Sequence, residues 1–154
     1  MEKIIKISEK ILKVLVSVLL CLLVLTVSYI AFKRYLFKDA PAWGESLSLL
    51  FMVWFCMLSA AIGVINKIHL RMTIMDNIFS EKTIFYLEHL TNTLWIILGI
   101  LAIVKGLSLT SLSSENIITG LNMKSSIIYS AIPVFGLIVT LTSINEEVKL
   151  CKVN

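Results

Sequence analysis

Two histidines are the residues of this chain whose spacing most directly suggests a chemical role. His69 and His89 are twenty positions apart, and haem ligation would require their imidazoles to face each other across neighbouring helices. The alternative is a histidine that forms a hydrogen bond at a helix end, which is much commoner. The sequence favours this second interpretation, so no haem or other cofactor is expected.

The remaining candidates for catalysis are sparse. Cys21, Cys56 and Cys151 have no partner at CxxC spacing. The sequence contains no GxxxxGK(S/T) phosphate loop, no GxGxxG turn and no HExxH zinc motif. Too few polar groups remain to propose a Ser, His and acid constellation. The sequence therefore predicts a protein that is not an enzyme and that holds no metal.

Four uncharged apolar stretches, each flanked by charge, make up most of the 154 residues. At about 1.5 Å of rise per residue, about 20 helical residues cross the roughly 30 Å of bilayer hydrocarbon. The third stretch reaches this length only if its helix continues past Lys105, whose ammonium group would then reach the headgroups. The sequence predicts one membrane domain, 1–154, with spans at residues 14–32, 46–66, 89–110 and 125–145.

The composition supports this assignment, with 58% hydrophobic residues, 16% charged residues and a mean hydropathy of +0.92. The formal charge of +4 needs no nucleic-acid partner, because basic residues at helix ends retain cytoplasmic loops and contact membrane lipids. The predicted fold class is an all-α integral membrane four-helix protein. Residues 1–13 and 67–88 are expected to form interfacial amphipathic segments.

The positions of the basic residues predict that both termini are cytoplasmic. Nine of the 14 Lys and Arg residues then lie on the inner side and five on the outer side. The first apolar stretch is longer than the core of a signal peptide, and no small-x-small cleavage site follows it before Lys33. It is expected to remain as the first span.

The interiors of the predicted spans lack the acidic and basic side chains that carriers place near the bilayer centre. The sequence also lacks paired hydrophobic segments broken by Gly or Pro, which are typical of substrate sites at the midplane. A transport pathway through this chain alone is therefore not expected.

Small residues four positions apart indicate close packing of helices. Ser59 and Gly63 form such a pair in the second span, and Ala102 and Gly106 form one in the third. Either pair could contact a partner helix, although packing within the protein is the commoner use. Pro133 removes a backbone donor from the fourth span and predicts a kink or an inserted polar group.

The linker from Lys33 to Glu45 combines Arg34, Tyr35 and Trp43 with a carboxylate just before the second span. One interpretation is an aromatic belt at the membrane interface, with the basic side chains among the headgroups. The sharper hypothesis pairs Arg34 with Glu45 or with a headgroup, which would hold the hairpin between the first two spans.

The order of these features resembles a known family. A first span that ends in Arg34 and Tyr35 is followed by the motif residues, in sequence, Trp43, Glu45, Trp54, Phe55, Ala60, Ala61, Gly63, His69, Leu70, Arg71 and Pro133. The chain resembles, over essentially its full length, the DctQ-like small membrane subunit of tripartite ATP-independent periplasmic (TRAP) transporters.

This resemblance implies a division of labour among three components. A periplasmic substrate-binding protein would capture an organic acid, and a large permease subunit would carry the substrate and sodium sites. The small subunit would be a static scaffold in the bacterial inner membrane, where its outer loops contact the binding protein. Its structural and interface residues would include Arg34, Tyr35, Trp43, Glu45, Trp54, Ser59, Gly63, His69 and Pro133.

One position departs from the family pattern. The acidic residue often found four positions after the family's histidine is Thr73 here, and the next acid is Asp76. Any role of that acidic position therefore does not transfer to this chain. Family habits suggest a carboxylate cargo such as sialic acid or a C4-dicarboxylate.

Three other classes of protein remain as alternatives. A small self-contained exporter would have a membrane-embedded carboxylate as its signature. A haem- or quinone-binding anchor of a respiratory complex would show a Soret band if it held haem. A free-standing four-helix protein would not co-purify with a large membrane partner, which is the observation that separates it from a scaffold subunit.

Overall fold

The computed structural model describes residues 2–38, 41–66 and 81–152, and within them the side chains of residues 9–38, 41–66 and 86–148. Four helical segments dominate: α1 (Glu2–Phe37), α2 (Ala42–Ile65), α3 (Glu81–Leu112), and a short α4 (Ser126–Tyr129) that leads into α5 (Ala131–Lys152). The described residues contain no strand, although an isolated bridge joins Ile117 to Lys124.

Each of the four segments contains a stretch long and apolar enough to cross a membrane. The stretches are Glu9–Phe37, Ala42–Ile65, Tyr86–Glu115 and Ser126–Val148. The predicted all-α, four-helix membrane class is therefore confirmed. The third helix continues through Lys105 to Leu112, as its length required.

The ends of these helices follow from their sequence. Lys38 has a positive φ of 51°, which breaks the helical path after Phe37. Pro41 then precedes α2 with φ −67°, a value that its ring imposes and that suits a helix start. At the other end of α2, the Asn66 amide donates to the Ile62 carbonyl at 3.0 Å.

The two predicted interfacial segments have different outcomes. Residues 2–13 are the beginning of α1 and not a separate helix, and their contact with headgroups stays a prediction. The 36 residues of α1 extend about 54 Å, which exceeds the hydrocarbon thickness. In the other segment, residues 67–80, with His69, lie outside the described residues, and residues 81–88 begin α3.

The helices pack in the order α1, α2, α5, α3. Helix α1 is antiparallel to α2, α2 runs alongside α5 in the same direction, and α5 is antiparallel to α3. The molecule therefore has a loop end, which contains Trp43 and residues 113–125, and a terminus end, where α1 begins and α5 finishes.

The hydrophobic core lies where α2, α5 and α3 meet. Ala61 of α2 packs with Phe135 and Val139 of α5, and Trp95 and Ala102 of α3 pack against them. No α1 side chain belongs to this cluster in the part of the chain the structure describes. Helix α1 therefore lies at one edge of the protein and α3 at the other.

Helix α1 contacts α2 along a narrow seam. Its half-buried side chains are spaced alternately three and four residues apart, the repeat of a helix-packing seam, whereas its other described side chains are exposed. The half-buried positions are Glu9, Leu12, Val16, Leu19, Leu23, Thr26, Ile30 and Lys33.

Candidate functional site

Helices α3 and α5 approach each other closely through glycines. A Cβ atom on Gly136 would lie 2.7 Å from the Gly99 carbonyl oxygen and 2.9 Å from the Ile103 nitrogen. A Cβ atom on Gly106 would lie 2.7 Å from Pro133 Cδ. Because these neighbours are backbone or ring atoms, glycine is what allows the two helices to approach so closely.

This contact shows which surface one of the two predicted small-residue pairs packs against. Ala102 and Gly106 face α5, where the Ala102 Cβ is 3.0 Å from a Cβ built on Gly136. They serve packing within the protein, the commoner of the two uses. Ser59 and Gly63 are half-buried on α2, and their contact with a partner stays a prediction.

The fourth span is interrupted at Ser130, between α4 and α5, three residues before Pro133. The interruption leaves the Ile127 carbonyl available, and it accepts hydrogen bonds from Trp54 Nε1 at 3.0 Å and from Ser130 Oγ at 2.8 Å. The kink predicted from Pro133 stays a prediction, because Ser130 keeps right-handed helical dihedral angles; the Trp54 indole is a polar group beside the interruption. Trp54 thereby attaches α2 to the start of the fourth span.

An aromatic pair holds α1 against α2 at the loop end. The rings of Tyr29 and Trp43 are stacked, with centroids 6.0 Å apart and an angle of 24° between their planes. One residue further along each helix, a Cβ on Gly44 would lie 2.7 Å from the Ile30 side chain. The stack of Trp43 on Tyr29 therefore holds α1 against α2, the role that the sequence hypothesis gave to Arg34 and Glu45.

The loop after α3 forms a small hairpin, residues 116–125, that docks on the start of α2. Ile118 N donates to the Met123 carbonyl and Ser125 N to the Asn116 carbonyl, both at 2.8 Å. Gly120 has a φ of +86°, and a Cβ there would lie 2.7 Å from Trp43 N. Ser46 Oγ completes the contact by donating to the Thr119 carbonyl at 2.9 Å.

Arg34, Tyr35 and Glu45 lie near the turn between α1 and α2, and none of them takes part in the Tyr29–Trp43 stack or in the hydrogen bonds described for the 116–125 hairpin. All three side chains are exposed, Tyr35 by 86%. Among the described side chains, no ion pair joins Arg34 to Glu45. The predicted pairing of these two residues is therefore not formed, because each projects outward from its helix, and the contact of Arg34 with a headgroup stays a prediction.

A group of polar side chains lies between α3 and α5 at the terminus end. His89 Nδ1 is paired with Glu147 Oε1, which agrees with the interpretation of His89 as a hydrogen-bonded histidine. Asn92 is 6% exposed and Ser143 is 2% exposed. Ser143 Oγ and the second Glu147 oxygen have no hydrogen-bond partner. His69, the other candidate histidine, is outside the described residues.

The contacts described above join the helices to one another. Among the described side chains, no group of three His, Cys, Asp or Glu residues could hold a metal ion. The Tyr29–Trp43 stack and the hairpin docked at Ser46 form a clamp at the loop end. Helices α3 and α5 meet at a glycine interface. Sequence reasoning missed Tyr29, Gly120 and Gly136; only Gly136 had a detectable signal, because it stands four residues before Thr140 in a third pair of small residues.

Comparison with known families connects this architecture to membrane transport. The family model for the DctQ component of tripartite ATP-independent periplasmic transporters matches residues 23–152. The matched region starts within α1 and continues to the end of α5, so it includes the clamp and the glycine interface. No curated protein matches the chain.

Proposed function

Because this chain belongs to the DctQ family of TRAP transporter small subunits, we propose that it is a static scaffold for the large permease subunit. The observation that carries the proposal is the packing of α3 against α5. Their backbones meet at Gly99, Gly106 and Gly136, which leaves no room for a solute between them. A subunit so packed supports a partner that moves the cargo.

The charges of the chain support the same conclusion. From Leu90 to Ser114 the third span contains one charged residue, Lys105, which lies on an exposed face of α3. A carrier needs charged or polar ligands that face its own pathway. The sodium and substrate sites therefore belong to the large subunit.

The proposed orientation places the terminus end in the cytoplasm and the loop end in the periplasm, with the protein in the bacterial inner membrane. The excess of basic residues at the terminus end supports this orientation. The periplasmic binding protein then meets the exposed parts of the loop end, where Ile117 is 68% exposed and Met123 is 44% exposed. The docked hairpin would present these two side chains in a fixed position.

The cargo is proposed to be an organic acid taken up with sodium. A carboxylate such as sialic acid or a C4-dicarboxylate is the proposed class, as the family resemblance implies. A scaffold does not contact the cargo, so its identity depends on the other two components.

Reconstitution tests the proposal. Proteoliposomes would contain the large subunit with or without this chain, and loaded binding protein would be added outside under an inward sodium gradient. We expect uptake only when both membrane subunits are present, and none from this chain alone. Sodium-driven accumulation by vesicles that contain only this chain would overturn the scaffold role.

Variants at the loop end test whether Trp43, which is in the clamp, and the exposed Arg34, which is outside it, contribute to assembly. Trp43→Ala and Arg34→Ala are each expected to lower assembly or uptake while the binding protein still captures its substrate. Leu36→Ala is a matched control, because Leu36 is 62% exposed on α1 and outside the clamp. Normal assembly and uptake in both test variants would remove these residues from the proposed interface.

A further inference from the structure

The most unusual exposed side chain in the membrane region is Lys105 of α3. Most of its exposed neighbours along the chain are apolar: Leu101 is 55% exposed, Val104 is 58% exposed and Leu107 is 57% exposed, and Ser108 is the exposed polar one. Lys105 has no ion pair or hydrogen bond in the part of the chain the structure describes. A charge among apolar side chains in a bilayer requires a polar partner.

The depth of Lys105 follows from the packing of its neighbours. Gly106 lies against Pro133, and two residues later Phe135 belongs to the core cluster, against which Met57 of α2 packs. Met57 is 15 residues after the start of α2 at Ala42 and 8 residues before its end at Ile65. Lys105 therefore lies at the level where α2 packs on α5, within the apolar stretch Tyr86–Glu115.

Contact with headgroups, the arrangement expected from the sequence, requires a long reach at this position. Leu112, the last residue of α3, is seven residues beyond Lys105, a rise of about 10 Å. In a helix, the Cα–Cβ bond tilts toward the N-terminus, which for Lys105 is the direction away from this nearer end. The lysine stem would have to turn back on itself and still cross apolar surface to reach the interface.

The exposed surface of α3 around Lys105 carries a stripe of leucines. We define the Lys105 face as the exposed α3 residues Leu94, Leu98, Leu101, Lys105, Ser108 and Leu112. Their spacing alternates between four and three, as does the seam by which α1 packs on α2. In such seams leucines supply the contact, and one polar residue selects the register and the partner.

Resting on the proposed function, we infer that the Lys105 face binds a membrane helix of the large permease subunit, and that this helix carries an Asp or Glu opposite Lys105. The carboxylate neutralises the ammonium group within the apolar contact, and Ser108 offers a hydroxyl one turn away. Helix α3 lies at the edge of the protein, so this face is open along its length to a second protein.

Co-purification tests the charge pair. A tagged form of this chain would be co-expressed with the large subunit, and recovery of that subunit would be measured in mild detergent. We expect Lys105→Met to lower recovery about tenfold, since removing one partner of a desolvated charge pair weakens binding strongly. Lys105→Arg should retain recovery, and so should Lys124→Met, a control at an exposed lysine of the loop end.

Photo-crosslinking tests the face itself. A photoreactive residue at Leu101 should crosslink to the large subunit, whereas the same residue at Leu25 of α1, which is 61% exposed, should not. Crosslinking from Leu101 to phospholipid alone would overturn the inference. Full recovery of the large subunit with Lys105→Met would also overturn it, and would leave the scaffold function intact.

Two further outcomes separate the causes of failure. Lys105→Met should be as stable as the wild type when purified alone, because it places an apolar side chain on an exposed apolar face; a less stable variant would overturn the assignment of Lys105 to a partner contact. If the wild-type chain recovers no large subunit, both this inference and the proposed function are wrong.

Discussion

The α3–α5 and α1–α2 pairs are both antiparallel and both span the membrane region, yet different groups hold them together. Helices α3 and α5 approach until backbone meets backbone at Gly99 and Gly136. Helix α1 contacts α2 through side chains along a narrow seam, with the Tyr29–Trp43 stack at one end. In a bilayer, where lipid tails are as apolar as leucine, close packing is the main source of helix association.

This difference implies that the two pairs have different strengths. Where backbone meets backbone, any added side-chain atom would push the two helices apart. Helices α3 and α5 should therefore form a rigid unit. A side-chain seam can repack around a changed residue. Helix α1 should therefore be the first to separate from the rest when the protein is stressed.

The largest effect is expected from Gly136→Ala. The new Cβ would overlap the Gly99 carbonyl and the Ile103 nitrogen, and overpacking of this kind costs about 3 kcal/mol at the upper end of its usual range. The free energy of unfolding in detergent micelles would measure the loss. Ala60→Leu, at an exposed α2 position, is the control, and equal stability of the two variants would contradict the rigid-unit interpretation.

A smaller effect is expected from Gly120→Ala, which tests the contact of the 116–125 hairpin with the start of α2. The residue has a φ of +86° and its Cβ would meet the Ala42 and Trp43 backbones, so we expect about 1–3 kcal/mol of strain. Hydrogen exchange of the Ile118 and Ser125 amides should become faster as the hairpin leaves α2.

Asn122→Gly is the matched control for this prediction. Asn122 also has a positive φ, of 51°, which glycine adopts without strain. The substitution should therefore leave exchange in the hairpin unchanged or slower. Equal acceleration in both variants would show that the hairpin does not depend on its contact with α2.

Trp43→Ala should weaken the attachment of α1 by about 1 kcal/mol, the value of a stacked aromatic pair beyond its buried area. Spin labels at exposed Leu36 and Leu49 would report the distance between α1 and α2. We expect a broader distance distribution in the variant. Tyr35→Ala, which removes an aromatic ring that is 86% exposed, should leave the distribution unchanged.

The same distance measurement between α3 and α5 shows whether Trp43→Ala affects only the α1–α2 pair. With labels at Leu101 of α3 and Leu137 of α5, both exposed, Trp43→Ala should change nothing. A change at both pairs would mean that the four helices move as one unit, contrary to the difference described above.

The smallest effect is expected from Ser46→Ala, which removes the hydrogen bond to the Thr119 carbonyl. A single hydrogen bond of this kind contributes about 0.5–1.5 kcal/mol. Exchange of amides in residues 116–125 should increase slightly, and less than in Gly120→Ala. A larger increase in exchange than that of Gly120→Ala would show that the Ser46 hydrogen bond, and not the Gly120 contact, mainly holds the hairpin on α2.

Sequence reasoning predicted the helices better than the contacts. Their number and the continuation of α3 past Lys105 follow from hydropathy and span length. The packing use of Ala102 and Gly106 follows from small-residue spacing. The pairing of Arg34 with Glu45 was wrong because proximity in the linker says nothing about the direction in which each side chain projects.

The sequence by itself determined that this is a four-helix membrane protein, since apolar length and charge placement are local properties that decide whether a segment enters the bilayer. The order of its motif residues carried the resemblance to the DctQ family. Only the tertiary structure decided that α2 packs on α5, that Tyr29 is the partner of Trp43 and that Gly120 rests on the start of α2. The reason is physical: in lipid every span is equally apolar on its exterior, so the pairing of helices depends on surface shape, which appears only when the helices are placed side by side.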